Sequence, residues 1–277
     1  MPQVRFAKAH GAGNDFLIVE RRDLAAIGVG AESLPGFAAR ICDRRFGIGA
    51  DGLEVVSPAG EPQAIAELRL WNSDGSAAEI SGNGTRCVAA YLTQTAGAPE
   101  RFAIETGAGV REIERTLAKP PYYEFRMTTD ESECRVLDCL PAGQGAGLRG
   151  DMTAVHVGNP QLVVRVERLD FDWQAWGPIL ERDPCFPAGA NVSFMTVGGN
   201  DRESPALEVR FWERGAGATL SSGTGSLGAA FAARHRGWIA DRARILAEGG
   251  EMSVEWRDGM RLTGPAVITA RGSYEVG

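Results

Sequence analysis

The sequence predicts an α+β protein made of two pseudosymmetric copies of one domain. Each copy reads as a curved, mostly antiparallel sheet or barrel around a central helix, with an active-site cleft between the two. Three observations carry this. A strand, turn and helix segment occurs twice: Glu67-Leu68-Arg69-Leu70-Trp71 and Ser81-Gly82-Asn83-Gly84-Thr85 return 141 residues later, without a gap, as Glu208-Val209-Arg210-Phe211-Trp212 and Ser222-Gly223-Thr224-Gly225-Ser226. Two further pairs keep the same order at nearly the same spacing. Gly13-Asn14-Asp15-Phe16-Leu17-Ile18-Val19 matches Gly158-Asn159-Pro160-Gln161-Leu162-Val163-Val164, and Phe46 to Asp51 matches Phe186 to Asn191. Finally, short alternating apolar stretches outnumber helical ones, and each copy holds about one long helical pattern.

The elements follow from local pattern. Val4 to Ala9 alternates and Phe16 to Glu20 is apolar, so they form a hairpin around the polar tip His10 to Asp15. Leu34 to Cys42 has helical spacing, stopped by Asp43-Arg44-Arg45, and the glycine-rich loop Phe46 to Asp51 leads to a strand at Leu53 to Val56. The Glu67–Trp71 strand gives way to the turn Asn72 to Ser76. Ser81 to Thr85 then opens a helix that closes near Gly97. Strands at Phe102 to Thr106 and Val110 to Ile113 complete the first copy. Lys119-Pro120-Pro121 reads as the boundary, because paired prolines suit neither a helix interior nor a central strand. The first domain is therefore 1–118, joined by the tail 265–277, and the second is 119–264. In the second copy, Tyr122 to Met127 is a strand, Thr128 to Gly150 a variable acidic section, and Trp173 to Glu181 a helix. The helix after Ser222 stops at Gly237, and strands at Met252 to Trp256 and Met260 to Thr263 follow. The tail Pro265 to Val276 crosses back to the first sheet.

Composition narrows the partners. A net charge of −7 without a basic cluster argues against nucleic acid and anionic membrane. No apolar run approaches the roughly 20 residues of a membrane span, and the N-terminus lacks a signal-peptide core, so the chain reads as cytoplasmic. Five scattered cysteines (Cys42, Cys87, Cys134, Cys139, Cys185) argue against a disulfide framework and read as buried or incidental thiols. His10, His156 and His235 lie too far apart to suggest a metal site by spacing. Lys8 and Lys119 are the two lysines, and neither lies in a glycine-rich turn, which speaks against a Schiff-base cofactor.

Chemistry points to the two helix starts. The first N–H groups of a helix lack internal partners, and with the helix dipole they form a seat for a carboxylate or phosphate. Two related domains facing one another place two such seats across one cleft, with Ser81 on one wall and Ser222 on the other. That suits a reaction with two faces, in which a proton leaves one side of a carbon and returns on the other.

The motifs then resemble a known family. His10-Gly-Ala-Gly-Asn-Asp-Phe16, Gly47-Ile-Gly-Ala-Asp-Gly52, Asn72-Ser-Asp-Gly-Ser76, Ser81-Gly-Asn-Gly-Thr-Arg-Cys87, Gly158-Asn-Pro160, Glu213-Arg-Gly-Ala-Gly217, Ser222-Gly-Thr-Gly225 and Thr263-Gly-Pro-Ala266 together resemble the diaminopimelate epimerase family, in order and over almost the whole chain. The resemblance implies a cofactor-independent amino-acid epimerase of lysine biosynthesis, a homodimer with a small-molecule substrate. It implies that Asn14, Asn72, Asn159, Asn191, Glu213 and Arg214 bind the distal amino-acid end, and that Gly82, Asn83, Gly223 and Thr224 hold the α-carboxylate. The family's two catalytic cysteines fall on Ser81 and Ser222, and Gln161 stands where the family usually carries histidine. A thiol can be tuned into the working range, whereas a serine hydroxyl needs a neighbouring base. Candidate bases are His10, Glu79 and Glu213, with Asp74 behind them; each also suits a loop hydrogen bond or substrate contact. Three readings remain open: cysteines changed to serine to trap a ligand, a natural isomerase or lyase with altered chemistry, or a non-catalytic amino-acid-binding protein in which both serines are simple helix caps.

Overall fold

The computed structural model describes residues 1–129, 131–139, 141, 148–198 and 205–276. The chain divides into two compact units, residues 1–127 with 264–277 and residues 128–263.

Unit 1 begins with β1 (Gln3–Gly11), β2 (Asn14–Glu20), α1 (Arg21–Ala26), α2 (Leu34–Cys42), β3 (Gly52–Ser57), β4 (Ala66–Asn72) and β5 (Ala77–Ala78). The central helix α3 (Gly82–Ala96) follows, then β6 (Arg101–Thr106), β7 (Gly109–Lys119) and β8 (Tyr122–Thr129). Pairings run β1–β2, β2–β3, β3–β4, β4–β6, β6–β7 and β7–β8, with β2–β3 and β4–β6 parallel. The last strand of the chain closes this order by pairing with both β8 and β1; on β1 the partners run from Gln3–Glu275 to His10–Val267. Eight strands thus surround α3, whose residues from Asn83 to Ala90 are all buried. Small side chains let a helix fit there: Ala89 and Ala90 pack against Ile18, Leu70, Ile104 and Phe125 in one continuous core. Gly97 ends α3 in the left-handed conformation, φ 62°. A second core under α1 and α2, on Leu17, Val19, Phe37, Ile41 and Leu53, covers the other face of β2 and β3. That is why these strands read as continuous apolar runs.

Unit 2 repeats the plan with β9 (Cys134–Val136), β10 (Asp151–Val157), β11 (Pro160–Arg165), α4 (Trp173–Glu181), β12 (Asn191–Gly198), β13 (Ala206–Glu213) and β14 (Gly217–Thr219). Its central helix α5 (Gly223–His235) precedes β15 (Arg242–Ala247), β16 (Gly250–Trp256) and β17 (Met260–Glu275), the long strand whose second half belongs to unit 1. Here β11–β12 and β13–β15 are the parallel pairs, matching β2–β3 and β4–β6. The core around α5 joins Val163, Val209, Phe211, Ala229 and Ala230 with Ile245 and Val254.

The ladders refine the repeat. Phe16 faces Gly52 and Leu70 faces Glu54 in unit 1; Gln161 faces Asn191 and Phe211 faces Ser193 in unit 2. Glu54 is therefore the counterpart of Ser193, one residue away from the alignment that sets Asp51 against Asn191. Pro120-Pro121 lies in the turn of the β7–β8 hairpin, and Tyr123, Phe125 and Met127 pack into the core of unit 1. Prolines suit a hairpin turn as well as a linker. α1, six residues long, is too short to show a helical period, whereas β15 does alternate polar and apolar residues over Arg242-Ala243-Arg244-Ile245, a strand signal that sequence reasoning missed. Within the acidic section 128–150, residues 130, 140 and 142–147 lie outside the described residues.

One expectation is overturned. Cys139 and Cys185 form a disulfide, with Cα atoms 5.8 Å apart and a sequence separation of 46. Both pack against the α4-side core of unit 2. Counting cysteines cannot detect a single bridge made by two loops that only the fold brings together. Cys42 and Cys87 are buried thiols.

Fully buried Phe125 stacks on Tyr123 within the α3 core. Phe125→Ala will lower unfolding stability by about 3–5 kcal/mol, measured in urea.

Candidate active site

Unit 1 gathers its polar residues where β2, β3 and β4 meet the start of α3. Ser81 is the N-cap, extended at φ −124° and ψ 123°, and its Oγ accepts the Gly84 N–H at 3.1 Å. The Thr85 amide and hydroxyl both donate to the Ser81 carbonyl at 2.8 Å. Asn83 is buried one residue into the helix. Its amide donates to Asn14 Oδ1 at 3.3 Å, and its own Oδ1 accepts Arg86 Nη2. Gly11, on the opposing hairpin, leaves room for this: a Cβ there would stand 3.2 Å from Asn83.

Asn14 is oriented from behind. Its amide donates to Asp51 Oδ2 at 2.7 Å, which leaves its carbonyl for Asn83. Arg44 bridges Asp15 and Asp51, at 2.7 and 2.8 Å, and Lys8 approaches Asp15 at 3.0 Å. Burial opposes ionisation of Asp15, but hydrogen bonds from Arg44 and Lys8 outweigh it and hold the carboxyl below its usual range. The Asn72 turn sits on the same strand ends: Ser73 N donates to the Asp51 carbonyl at 3.0 Å, and Asn72 Nδ2 donates to Ser76 Oγ at 2.9 Å.

Arg86 is wholly buried on the first turn of α3, where burial pulls its guanidinium down to about 10. It bonds Asn83 and the Pro265 carbonyl, and a Cβ on Gly264 would stand 3.0 Å from its guanidinium. The glycine of Thr263-Gly-Pro-Ala266 is thereby explained.

Unit 2 repeats the construction. Ser222 caps α5 at φ −141° and ψ 127°, and its Oγ accepts Gly225 N–H at 3.1 Å. Asn159 Nδ2 lies 3.5 Å from Thr224 Oγ1, as Asn14 lies against Asn83. Gln161 Nε2 donates to Asn159 Oδ1 at 2.6 Å, the orienting role that Asp51 has for Asn14. Asn191 Oδ1 accepts the Arg214 amide at 2.9 Å, and Thr219 Oγ1 donates to Glu213 at 2.8 Å. Ser222 is buried, whereas Ser81 is half-buried.

The candidate bases are placed differently. His10 Nδ1 accepts Gly13 N–H in the hairpin tip, Asp74 closes its turn on Ser76, and Glu79 is exposed. Sequence reasoning missed Glu54. It lies wholly inside unit 1, and neither carboxylate oxygen has a hydrogen-bond partner among the described residues. A Cβ on Gly84 would stand 1.8 Å from Glu54 Oε1 and 3.3 Å from Ser81 Cβ, so the carboxyl abuts the turn that Ser81 caps. Burial pushes Glu54 well above the usual carboxylate range. A charged residue in an otherwise apolar strand, Gly52 to Val56, was the available signal.

The fold is shared with solved structures described as a probable proline racemase and a hydroxyproline epimerase. A Bacillus anthracis phenazine biosynthesis protein of the PhzF family matches with a TM-score of 0.70 over 100% of both chains, at 16% identity. A hydroxyproline epimerase from Agrobacterium vitis matches at 0.70 over 99% of this chain and 92% of the other, also at 16% identity. Likeness at that level is one of fold. The sequence profile described as diaminopimelate epimerase matches residues 6–131 and 153–273. The diaminopimelate epimerase of Pelotomaculum thermopropionicum is 36% identical over 98% of this chain and 99% of its own length. That of Synechococcus elongatus is 37% identical over 99% of both. The chain belongs to the diaminopimelate epimerase family.

Two stability measurements follow, with opposite pH signs. The folded protein keeps the Glu54 proton to higher pH than the unfolded chain, so this group lowers stability as pH rises above the unfolded range of about 4.3. Glu54→Leu will be more stable than the wild type by about 1–3 kcal/mol at pH 8, with the gain shrinking toward pH 4, in urea titrations across that range. Asp15 behaves in reverse. Its depressed value contributes stability above the unfolded range of about 3.9, lost as pH falls through the folded value. Asp15→Asn will cost up to about 1 kcal/mol at pH 7 and low salt, less at high salt, because Arg44 is largely exposed.

Proposed function

We propose that this protein inverts the α-carbon of an amino acid of the LL-/meso-diaminopimelate type without a cofactor. The observation that carries the reading is the repeated construction: a serine-capped helix head in each unit, with an asparagine from the first hairpin set against its second residue. In this reading the amides of Gly82, Asn83, Gly223 and Thr224 seat the α-carboxylate. Asn14, Asn72, Asn159, Asn191, Glu213 and Arg214 take the distal end. Ser81 and Ser222 serve opposite faces of the α-carbon, one removing a proton while the other supplies one. The carbanion is stabilised by donors already in place, which need no reorganisation when charge develops. A homodimer in the cytoplasm belongs to the same reading.

A second reading, a non-catalytic amino-acid-binding protein, is favoured by one observation. Both hydroxyls already accept a helix N–H, which alone accounts for serine at an N-cap.

The test is α-proton exchange of LL- and meso-diaminopimelate in deuterated water, followed by NMR, with binding measured in parallel. The wild type will exchange slowly, and Ser81→Cys/Ser222→Cys will exchange about 100-fold or more faster. Binding without exchange in the wild type supports the second reading. No binding by either protein rules out diaminopimelate as the ligand.

A further inference from the structure

The proposed reaction leaves one chemical demand unmet. A serine hydroxyl that gives a proton to a carbanion becomes an alkoxide and must recover a proton from a nearby group. Among the described residues of unit 1, Glu54 is a carboxyl that abuts the turn capped by Ser81; the Arg86 guanidinium lies near the same turn at Gly82. The carboxyl lies behind Gly84, whose amide is the one that Ser81 Oγ accepts.

Glu54 has no evident structural use. A buried carboxyl that serves the fold is hydrogen-bonded, and an unsatisfied one costs stability. Among the described residues both oxygens of Glu54 lack hydrogen-bond partners, and the residue is 0% exposed. The repeat supplies an internal comparison. Ser193 occupies the same position in unit 2, facing Phe211 on one side and Val163 on the other, as Glu54 faces Leu70 and Ile18. The architecture therefore forms with a small side chain at this position. The contact is also specific to unit 1: Gly84 is glycine against Glu54, whereas a Cβ on its counterpart Gly225 would meet Phe211 at 2.7 Å. The helix head and this buried acid, aimed into its first turn, are independent features of one place.

Resting on the epimerase reading, we propose that Glu54 is the proton-holding partner of Ser81. As the α-carbon C–H bond forms, the Ser81 O–H bond breaks; as the Ser81 O–H bond reforms, the Glu54 O–H bond breaks and Glu54 becomes a carboxylate. In the reverse direction each bond is remade in turn and Glu54 regains its proton. Burial favours the neutral acid as its resting state, in which Ser81 stands ready as a donor. The carboxylate formed transiently lies at the positive end of α3, against Gly84. Glu54 acts through Ser81 and does not touch the substrate; it is a positioning residue.

Two measurements test this. Infrared spectroscopy of the full chain will show the carbonyl stretch of a protonated carboxyl that is absent from Glu54→Gln and shifted by Ser81→Ala. The diaminopimelate exchange assay will show Glu54→Gln slowed about 100-fold, with ligand affinity within about twofold of the wild type and partial recovery in Glu54→Asp. Unfolding curves confirm that each variant is folded. A band that Ser81→Ala leaves in place, or exchange at the wild-type rate in Glu54→Gln, overturns the pairing. If wild-type protein exchanges no proton, the epimerase reading fails by itself, and the response of the band to Ser81→Ala alone decides whether Glu54 and Ser81 are coupled.

Discussion

A helix enclosed by strands along most of its length has one place to direct its first amide groups: its cap residue, or a ligand. That constraint governs both units. In α3 and α5, residues beyond the first turn satisfy one another, and the buried faces are small enough to sit inside a curved sheet. The remaining donors converge on Ser81 and Ser222, with the dipole adding to their pull on negative charge. Everything polar nearby is arranged around this. Asp51 and Gln161 turn an asparagine toward the helix head, and hydrogen bonds from Arg44 and Lys8 hold the Asp15 carboxyl below its usual range.

The two units solve the problem unequally. Unit 1 backs its helix head with charge, from Asp15, Asp51, Arg44 and a buried arginine; unit 2 uses the neutral amide of Gln161 and the hydroxyl of Ser226, which donates to the Ser222 carbonyl. Duplicated domains keep the sheet order because core packing demands it, while side chains around a ligand seat are free to diverge. Glu54 opposite Ser193 is the sharpest instance, since the same slot in the sheet holds an acid once and a hydroxyl once.

Much of the fold was legible because it rests on local pattern. Glycine-flanked serines before an alanine-rich stretch mark caps, and short apolar alternation marks strands; β1, β2, α2, α3, α4 and α5 all form where those patterns lie. The residues proposed to seat the ligand stood out for the same reason, being carried on turns rich in glycine and asparagine. The proline pair at 120–121 shows the limit, since the same chemistry fits a linker and a hairpin turn.

By itself the sequence determined the duplication, read from echoes 141 residues apart, and the element types and the serines at both helix heads, which are encoded by local spacing. Only the tertiary structure decided which distant groups meet: Glu54 beneath Gly84, Arg44 across Asp15 and Asp51, Cys139 against Cys185, and β8 within the first sheet. The reason is that strand register and burial are set by pairing across the chain. A shift of one residue in a strand turns each of its side chains to the opposite face, and nothing local distinguishes the two.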